Sequence, residues 1–396
     1  MKIVLSAVSA TAQLSGVTRH AANVARCLLT RSDVSAVHLL GAPWQYPSLS
    51  EAVSRDDARL HLHSVPMGTS MLARNLWHYS DLPSIARQLD ADLVHLSYPV
   101  PMNGKAFHCP TVVSLHDLYP YDIPANFGFL KALFHRLVLW QCLRAADAIA
   151  CVSGSTLQRL ALRAPRSVLE KAVTIYNSVE PAASMSAQNP FPFWNGQPFI
   201  LCVAQHRRNK NILLAMKIFQ RLLRTGGIDP ATRLVVVGVS GPETSRIRRF
   251  ENAAGLAEKV VLLSGISDAE MQWFYSNCEV LLAPSIVEGF GLPVAEALLA
   301  GCRIVCSDIA AFRELGSWDS CHYVSLGPAA EEAFSEAICT ALRQPRSRPC
   351  PLPQLSAAVI AAEYMRLYRR LLAFGRGSSL SGPILSPTAV QKDRIL

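Results

Sequence analysis

Short apolar runs recur along this 396-residue chain, and helical patterns fall between them. Residues 2–8, 36–40, 60–65, 93–96, 111–115, 147–152 and 173–176 read as strands in the first half. Residues 199–203, 234–237, 260–264, 280–283 and 303–307 do so in the second. Runs as apolar as Leu234 to Val237 suit strands covered on both faces. Their alternation with helical stretches such as 17–29 and 70–89 implies mostly parallel sheets in an α/β fold. The series breaks once, at residues 181–198, where Ala, Ser, Asn and Pro take over. This predicts a first domain at 1–180, a linker at 181–198 and a second domain at 199–354. A last helix is expected at 355–374, with Tyr364, Leu367, Tyr368 and Leu371 on its apolar face. A Gly/Ser/Pro-rich tail, expected to be disordered, follows at 375–396. Phe193 and Trp194 suggest that part of the linker packs down.

Half of the residues are hydrophobic and only 17% are charged, which supports large buried cores. The net charge of +9 is spread over both halves. That favours a basic cleft or surface for phosphorylated ligands or anionic lipid over a nucleic-acid arm, so no nucleic-acid partner is expected. The eleven cysteines are scattered, with no Cys-x-x-Cys pair. Cys27, Cys151, Cys202 and Cys306 lie inside apolar runs, as reduced thiols of a cytoplasmic protein would. No stretch reads as a signal peptide or reaches the length of a membrane span.

One stretch organises the chemistry. The strand at 280–283 stops at Pro284, and Glu288, Gly289, Phe290, Gly291, Leu292 and Pro293 follow. The glycines let backbone approach a ligand, and Pro293 suits the start of a helix that Gly301 ends. The first free N–H groups of that helix, near Phe290 to Leu292, form an anion site at a positive dipole end. Glu288 stands just before it and Glu296 one turn inside. An anion cradle between two acids suits a ligand with a phosphate middle and hydroxyl-bearing ends, which is the layout of a nucleotide-sugar. A dinucleotide fingerprint fits worse, because Val294 stands where the third glycine belongs. Two carboxylates would repel a diphosphate, so cations must offset them. The basic loop after strand 199–203, with Arg207, Arg208 and Lys210, supplies candidates.

The Glu288-x7-Glu296 spacing with Glu-Gly-Phe-Gly-Leu-Pro resembles the signature of retaining GT-B glycosyltransferases of family 4. The resemblance implies two Rossmann-like doubly wound domains facing across a cleft, with a C-terminal helix crossing back. It implies metal-independent transfer of a hexose, mannose-like or glucose-like, from a nucleotide-diphosphate sugar to an acceptor hydroxyl, with retention of configuration and no cofactor. The acceptor would be a glycan or a lipid-linked saccharide in surface polysaccharide or glycolipid assembly. Lys210 aligns with the family's phosphate-binding lysine, and Arg208, or else Arg207, with its arginine. Glu288 would hold sugar hydroxyls, covalently reactive or not. Glu296 would hold the ribose. Backbone N–H groups of Phe290, Gly291 and Leu292 would meet the diphosphate, and Gly265 and Ile266 would flank the base. His116, at the end of strand 111–115, aligns with a histidine that touches the donor sugar. Gly16 aligns with the glycine of the first strand–loop–helix unit. Two departures stand out. Asn177 is followed by Ser178 where the family has glycine, and Arg303 replaces a proline.

Residues 127–146 form an apolar helix with basic insertions at Lys131, His135, Arg136 and Arg144. Such a helix suits either a core position with one solvated face or an anionic membrane surface, which would place the protein peripherally at the inner leaflet. The rival function is a catalytically silent scaffold of the same fold that binds nucleotide-sugar or glycan.

Overall fold

The structure, a computed structural model, describes residues 1–12, 15–53, 57–180, 187–191, 196–316 and 320–374. Phe193, Trp194 and the tail at 375–396 lie outside the described residues. The chain forms two compact units. One takes Met1–Leu118, Leu133–Ser178 and the chain from Gln354 on; the other takes Tyr119–Ala132 and Val179–Pro353.

The first unit is built on a seven-stranded parallel sheet. Its strands are β1 (Lys2–Ser6), β2 (Ala36–Gly41), β3 (Leu60–Ser64), β4 (Leu93–Leu96), β5 (Thr111–Leu115), β6 (Ala148–Cys151) and β7 (Ala172–Thr174). Their order across the sheet is β3-β2-β1-β4-β5-β6-β7. The central strands β4, β5 and β6 are buried along their whole length and are mostly apolar, with His95, Thr111 and Ser114 the buried polar exceptions. β3 is one edge, and its Leu-His-Leu-His pattern is only half covered. The helix Gly16–Leu29 starts on a capping box between Ser15 and Thr18 and buries Ala21, Val24, Ala25 and Leu28. The helix Ala357–Phe374 packs on it, and Ile360, Ala361, Tyr364, Met365 and Tyr368 are part of the first unit's core.

Residues 71–88 are helical, as the pattern implies, with one difference. The helices Met71–Leu76 and Leu82–Gln88 are joined by a π-helical turn, Trp77–Asp81. Pro83 supplies the reason: it has no N–H to donate four residues back, so the regular ladder lapses just before it.

The second unit holds a six-stranded parallel sheet of β8 (Phe199–Val203), β9 (Arg233–Val237), β10 (Val260–Leu263), β11 (Val280–Ala283), β12 (Ile304–Ser307) and β13 (His322–Val324). The order is β10-β9-β8-β11-β12-β13. The helices Ile212–Arg224 and Ala330–Arg343 pack on each other through Phe219, Leu222, Phe334 and Ile338, all without exposed surface. Each such side chain contributes about 1.5–3 kcal/mol by leaving water. Arg303 has a packing role: its guanidinium donates to the Gln344 carbonyl at 2.8 Å and to the Glu279 carbonyl at 3.1 Å, tying β11 to the end of the helix Ala330–Arg343. All eleven cysteines are free thiols, nine of them buried.

Candidate active site

The turn between β11 and the helix Leu292–Leu299 is fixed by Gly291. Its φ of 103° lies in the left-handed region, and a Cβ there would meet the Phe312 ring at 2.7 Å. Gly238, after β9, is required by proximity instead, since a Cβ would fall 2.0 Å from the Ala204 carbonyl oxygen. The helix opens with Pro293 in its first turn, and the next two N–H groups, Val294 and Ala295, donate to the Gly291 carbonyl at 3.0 and 3.2 Å.

Lys210 and Glu288 meet directly. The Lys210 ammonium donates to both carboxylate oxygens, at 2.7 and 2.8 Å, and the Glu288 side chain is 7% exposed. Ser285 donates a hydroxyl to Oε1 at 2.7 Å and Tyr119 donates one to Oε2 at 3.3 Å. Behind them Asn209, fully buried, donates its Nδ2 to the Tyr119 hydroxyl at 3.1 Å, while its carbonyl accepts from Ile286 at 2.7 Å. The carboxylate is thus buried with four hydrogen bonds, the condition under which a charge tolerates an interior. A small cavity opens beside it, lined by Lys210, Ser285, Glu288, Pro293 and Phe312 among others. Glu296, half-buried, accepts from the Tyr275 hydroxyl at 2.6 Å.

The basic loop divides. Lys210 is drawn in, whereas the Arg208 side chain is exposed and its backbone N–H donates to Asn126 at 3.1 Å. Arg207 is half-buried. Phe290 is buried at 4% exposure, Leu292 is half-buried, and Gly265, with φ of 73°, is exposed next to half-buried Ile266. All of these belong to the second unit.

Gly16 and His116 belong to the first unit. Gly16 opens its helix with ordinary φ and open space where a Cβ would stand. His116 lies at the end of β5, with Nε2 2.8 Å from the Ser97 carbonyl. A carbonyl only accepts, so Nε2 carries the proton and Nδ1 keeps its lone pair. Burial pulls the ring down to about 4, so it is neutral at pH 7. Its ring meets His20 edge-on at 4.6 Å. His20 heads a buried chain of polar groups. Its Nδ1 is 2.6 Å from the Asn177 carbonyl oxygen and its Nε2 2.8 Å from the Ser114 hydroxyl. That hydroxyl is 2.8 Å from His95 Nε2, and His95 Nδ1 is 2.6 Å from the Tyr368 hydroxyl. The directions follow from one end: His20 donates to Asn177, Ser114 to His20, His95 to Ser114 and Tyr368 to His95. Every proton is used once and both rings are neutral. Burial holds His95 near 3 and His20 well below the usual imidazole range.

The residues that sequence reading left without a role are Tyr119, Asn209, Tyr275, Ser285, His20 and His95. Ser285, three places before Glu288, was within reach of the motif; the others come from separate elements and carry no local signal. Asp90 and Asp92, an acidic pair at Asp-x-Asp spacing, are taken up at the foot of β1. Asp90 pairs with the Lys2 ammonium at 2.9 Å and Asp92 accepts from the Lys2 backbone at 2.7 Å. Among the described residues no three His, Cys, Asp or Glu side chains are grouped to hold a metal.

Two parallel Rossmann-like sheets, a C-terminal helix in the first unit and a twin-acid loop beside a lysine define the GT-B class. The chain is a GT-B-fold protein related to the glycosyltransferases of family 4 and group 1. The family described as Glycosyltransferase Family 4 matches residues 14–183, and that described as Glycosyl transferases group 1 matches residues 187–350. Among curated proteins the chain is similar to the O-antigen chain mannosyltransferase RfbU of Salmonella typhimurium, with 25% identity over 226 residues, 57% of this chain and 59% of that one. It is also similar to the serotype-specific mannosyltransferase WbdA of Escherichia coli, with 25% identity over 244 residues, 56% of this chain and 28% of that one. The chain therefore spans less than two thirds of either relative. Among solved structures, sucrose-phosphate synthase from Thermosynechococcus elongatus superposes with a TM-score of 0.68 at 16% identity, over 94% of this chain and 100% of the other.

Proposed function

We propose that the chain moves a hexose, mannose-like or glucose-like, from a nucleotide-diphosphate sugar to an acceptor hydroxyl with retention of configuration, in the assembly of a surface polysaccharide or glycolipid. The observation that carries this reading is the Lys210 ammonium seated on Glu288 at the mouth of the helix Leu292–Leu299. Of the three ammonium protons, two go to Glu288 and the third can meet a phosphate oxygen. The ion pair brings the cation to the anion site without leaving the buried acid uncompensated. The departing diphosphate is stabilised by Lys210, by Arg208 or Arg207, and by the N–H groups of Phe290, Gly291 and Leu292. Glu288 holds the sugar hydroxyls, Glu296 the ribose, and Gly265 and Ile266 the base. The neutral His116 offers its Nδ1 lone pair to a sugar hydroxyl, and Gly16 leaves room for the ligand. The second unit takes the donor and the first the acceptor. Both named curated relatives are mannosyltransferases, which supports the mannose-like option.

The test is nucleotide release from a panel of nucleotide-sugars with a saccharide acceptor. Turnover that disappears in both Lys210→Ala and Glu288→Ala supports the enzyme. A chain that binds the sugar nucleotide and never releases the diphosphate is the silent scaffold.

We further propose that the protein works at the inner face of an anionic membrane. The helix Phe129–Ala145 buries Ala132, Leu139, Cys142 and Leu143 and leaves Leu133, Phe134 and Leu137 exposed, Leu137 by 64%. The helix Met71–Leu76 exposes Met71, Leu72 and Leu76. Tyr79, just beyond it, shares an open pocket with Gln141, Arg144 and Lys105. Apolar side chains flanked by cations suit insertion at the headgroup boundary. No helix among the described residues is long and apolar enough to cross a membrane. Flotation with vesicles containing phosphatidylglycerol tests attachment, and failure to float removes it.

A further inference from the structure

Glu296 is held from outside its own helix. The neighbouring helix Asp268–Asn277 brings Tyr275 to it, and the phenol hydroxyl donates to Glu296 Oε2 at 2.6 Å. That is the length of a hydrogen bond to a charged acceptor. Tyr275 is only 3% exposed, so the contact forms away from water. Tyr275 is itself anchored through its carbonyl, which accepts from Arg346 Nη2 at 2.8 Å and from the Cys302 thiol at 3.0 Å. The same guanidinium donates Nη1 to the Cys278 carbonyl at 2.7 Å. Arg346 thus closes the last carbonyls of the helix Asp268–Asn277 with a cation, where the helix dipole favours one. A chain of contacts runs from Arg346 through Tyr275 to the carboxylate.

Glutamate has three rotatable bonds, and an unrestrained side chain spreads over many rotamers that binding must then freeze. Two vicinal ribose hydroxyls need a carboxylate held in one plane. A carboxylate has about four lone-pair sites, so accepting one phenol proton leaves capacity for both hydroxyls. Burial, and then the carboxylate beside it, push the phenol well above its ordinary pKa, so it remains a donor. We propose that Tyr275 is a positioning residue for donor recognition: it fixes the Glu296 carboxylate in the orientation that receives the ribose hydroxyls, and so sets the preference for ribose over sugars lacking them. The inference rests on the reading of Glu296 as the ribose ligand.

The experiment measures calorimetric binding of ADP, CDP, GDP and UDP and their 2′,3′-dideoxy counterparts to the full chain and to Tyr275→Phe, Glu296→Ala and the double variant. The tightest ribonucleotide is compared with its own dideoxy form. Tyr275→Phe is expected to weaken the ribonucleotide about ten-fold and to leave the dideoxy form unchanged. With the donor sugar, KM rises and kcat holds. Glu296→Ala loses the preference outright, and the double variant binds as Glu296→Ala does. Equal weakening of both nucleotide forms by Tyr275→Phe, or a further loss in the double variant, would show a merely structural phenol and overturn the inference. A preference that survives Glu296→Ala, or a chain that binds none of the four, removes the ribose reading and the inference with it.

Discussion

The two units solve the burial of polar groups in opposite ways. In the second, charge is buried and matched: Glu288 sits under Lys210, Ser285 and Tyr119. In the first, charge is excluded: His20 and His95 are buried neutral on one directional chain of hydrogen bonds, and the half-buried His116 is neutral beside them. The paired arrangement suits a site that must receive a charged ligand, because its cation can turn towards an incoming anion. The neutral arrangement suits a site that must meet hydroxyl groups, since an uncharged ring both donates and accepts.

The largest effect should come from breaking the pair. Lys210→Ala is expected to lower nucleotide release about a thousand-fold, and Glu288→Ala a similar amount, in a steady-state assay with saturating donor. Activity within ten-fold of the parent in either variant would mean that the pair is scaffolding.

Acid comes next, and it should separate the units. A histidine held near 3 or 4 in the fold and near 6.5 in the unfolded chain takes up its proton only on unfolding. Stability from these rings is therefore complete above about pH 6.5 and falls as pH drops towards the folded values, by about 1.4 kcal/mol per pH unit for each ring. Burial holds His38, His78, His95 and His116 of the first unit near 3 or 4 and lowers His20 and His63 as well, whereas among the described residues of the second unit it lowers His206 alone. Calorimetry from pH 7.5 to 5 is expected to show the first unit's transition falling much faster than the second's. Parallel loss in both would break the contrast.

Glycine substitutions sharpen it at smaller scale. Gly291→Ala forces a side chain into the left-handed region and onto Phe312, and should cost about 1–3 kcal/mol in urea unfolding. Gly16→Ala, with ordinary φ and open space, should cost less than about 0.5 kcal/mol. The smallest change in stability is expected at the surface. Phe134→Ser with Leu137→Ser should leave unfolding within about 0.5 kcal/mol, keep turnover on a water-soluble acceptor, and abolish vesicle flotation.

The contrast also explains what could be read in advance. The twin-acid loop lies in one stretch: Glu288, Phe290, Gly291, Leu292 and Glu296 are neighbours along the chain, so their pattern shows in spacing. The need for a cation beside two acids pointed to the basic loop of Arg207, Arg208 and Lys210, and the family resemblance singled out Lys210. Strand positions were legible because fully covered strands are mostly apolar, even where β4 and β5 carry His95 and Ser114. The short strand β13 and the helix Ala330–Arg343 were not, since three residues make a weak signal and Ala330 follows no cap. The histidine chain draws His20, His95, Ser114 and Tyr368 from four elements and Asn177 from the loop after β7, and no local pattern announces a partner 273 residues away. Tyr275 looked like one more aromatic in Trp273, Phe274 and Tyr275, and only its hydroxyl, placed beside Glu296, distinguishes it.

The helix Ala357–Phe374 supplies Tyr364 and Tyr368 to the interior of the first unit. During synthesis the amino-terminal sheet therefore waits for its last wall until the whole of the second unit has left the ribosome. The half made first is completed last, and nascent chains stalled before residue 357 should expose that sheet to chaperones while the other half is already closed.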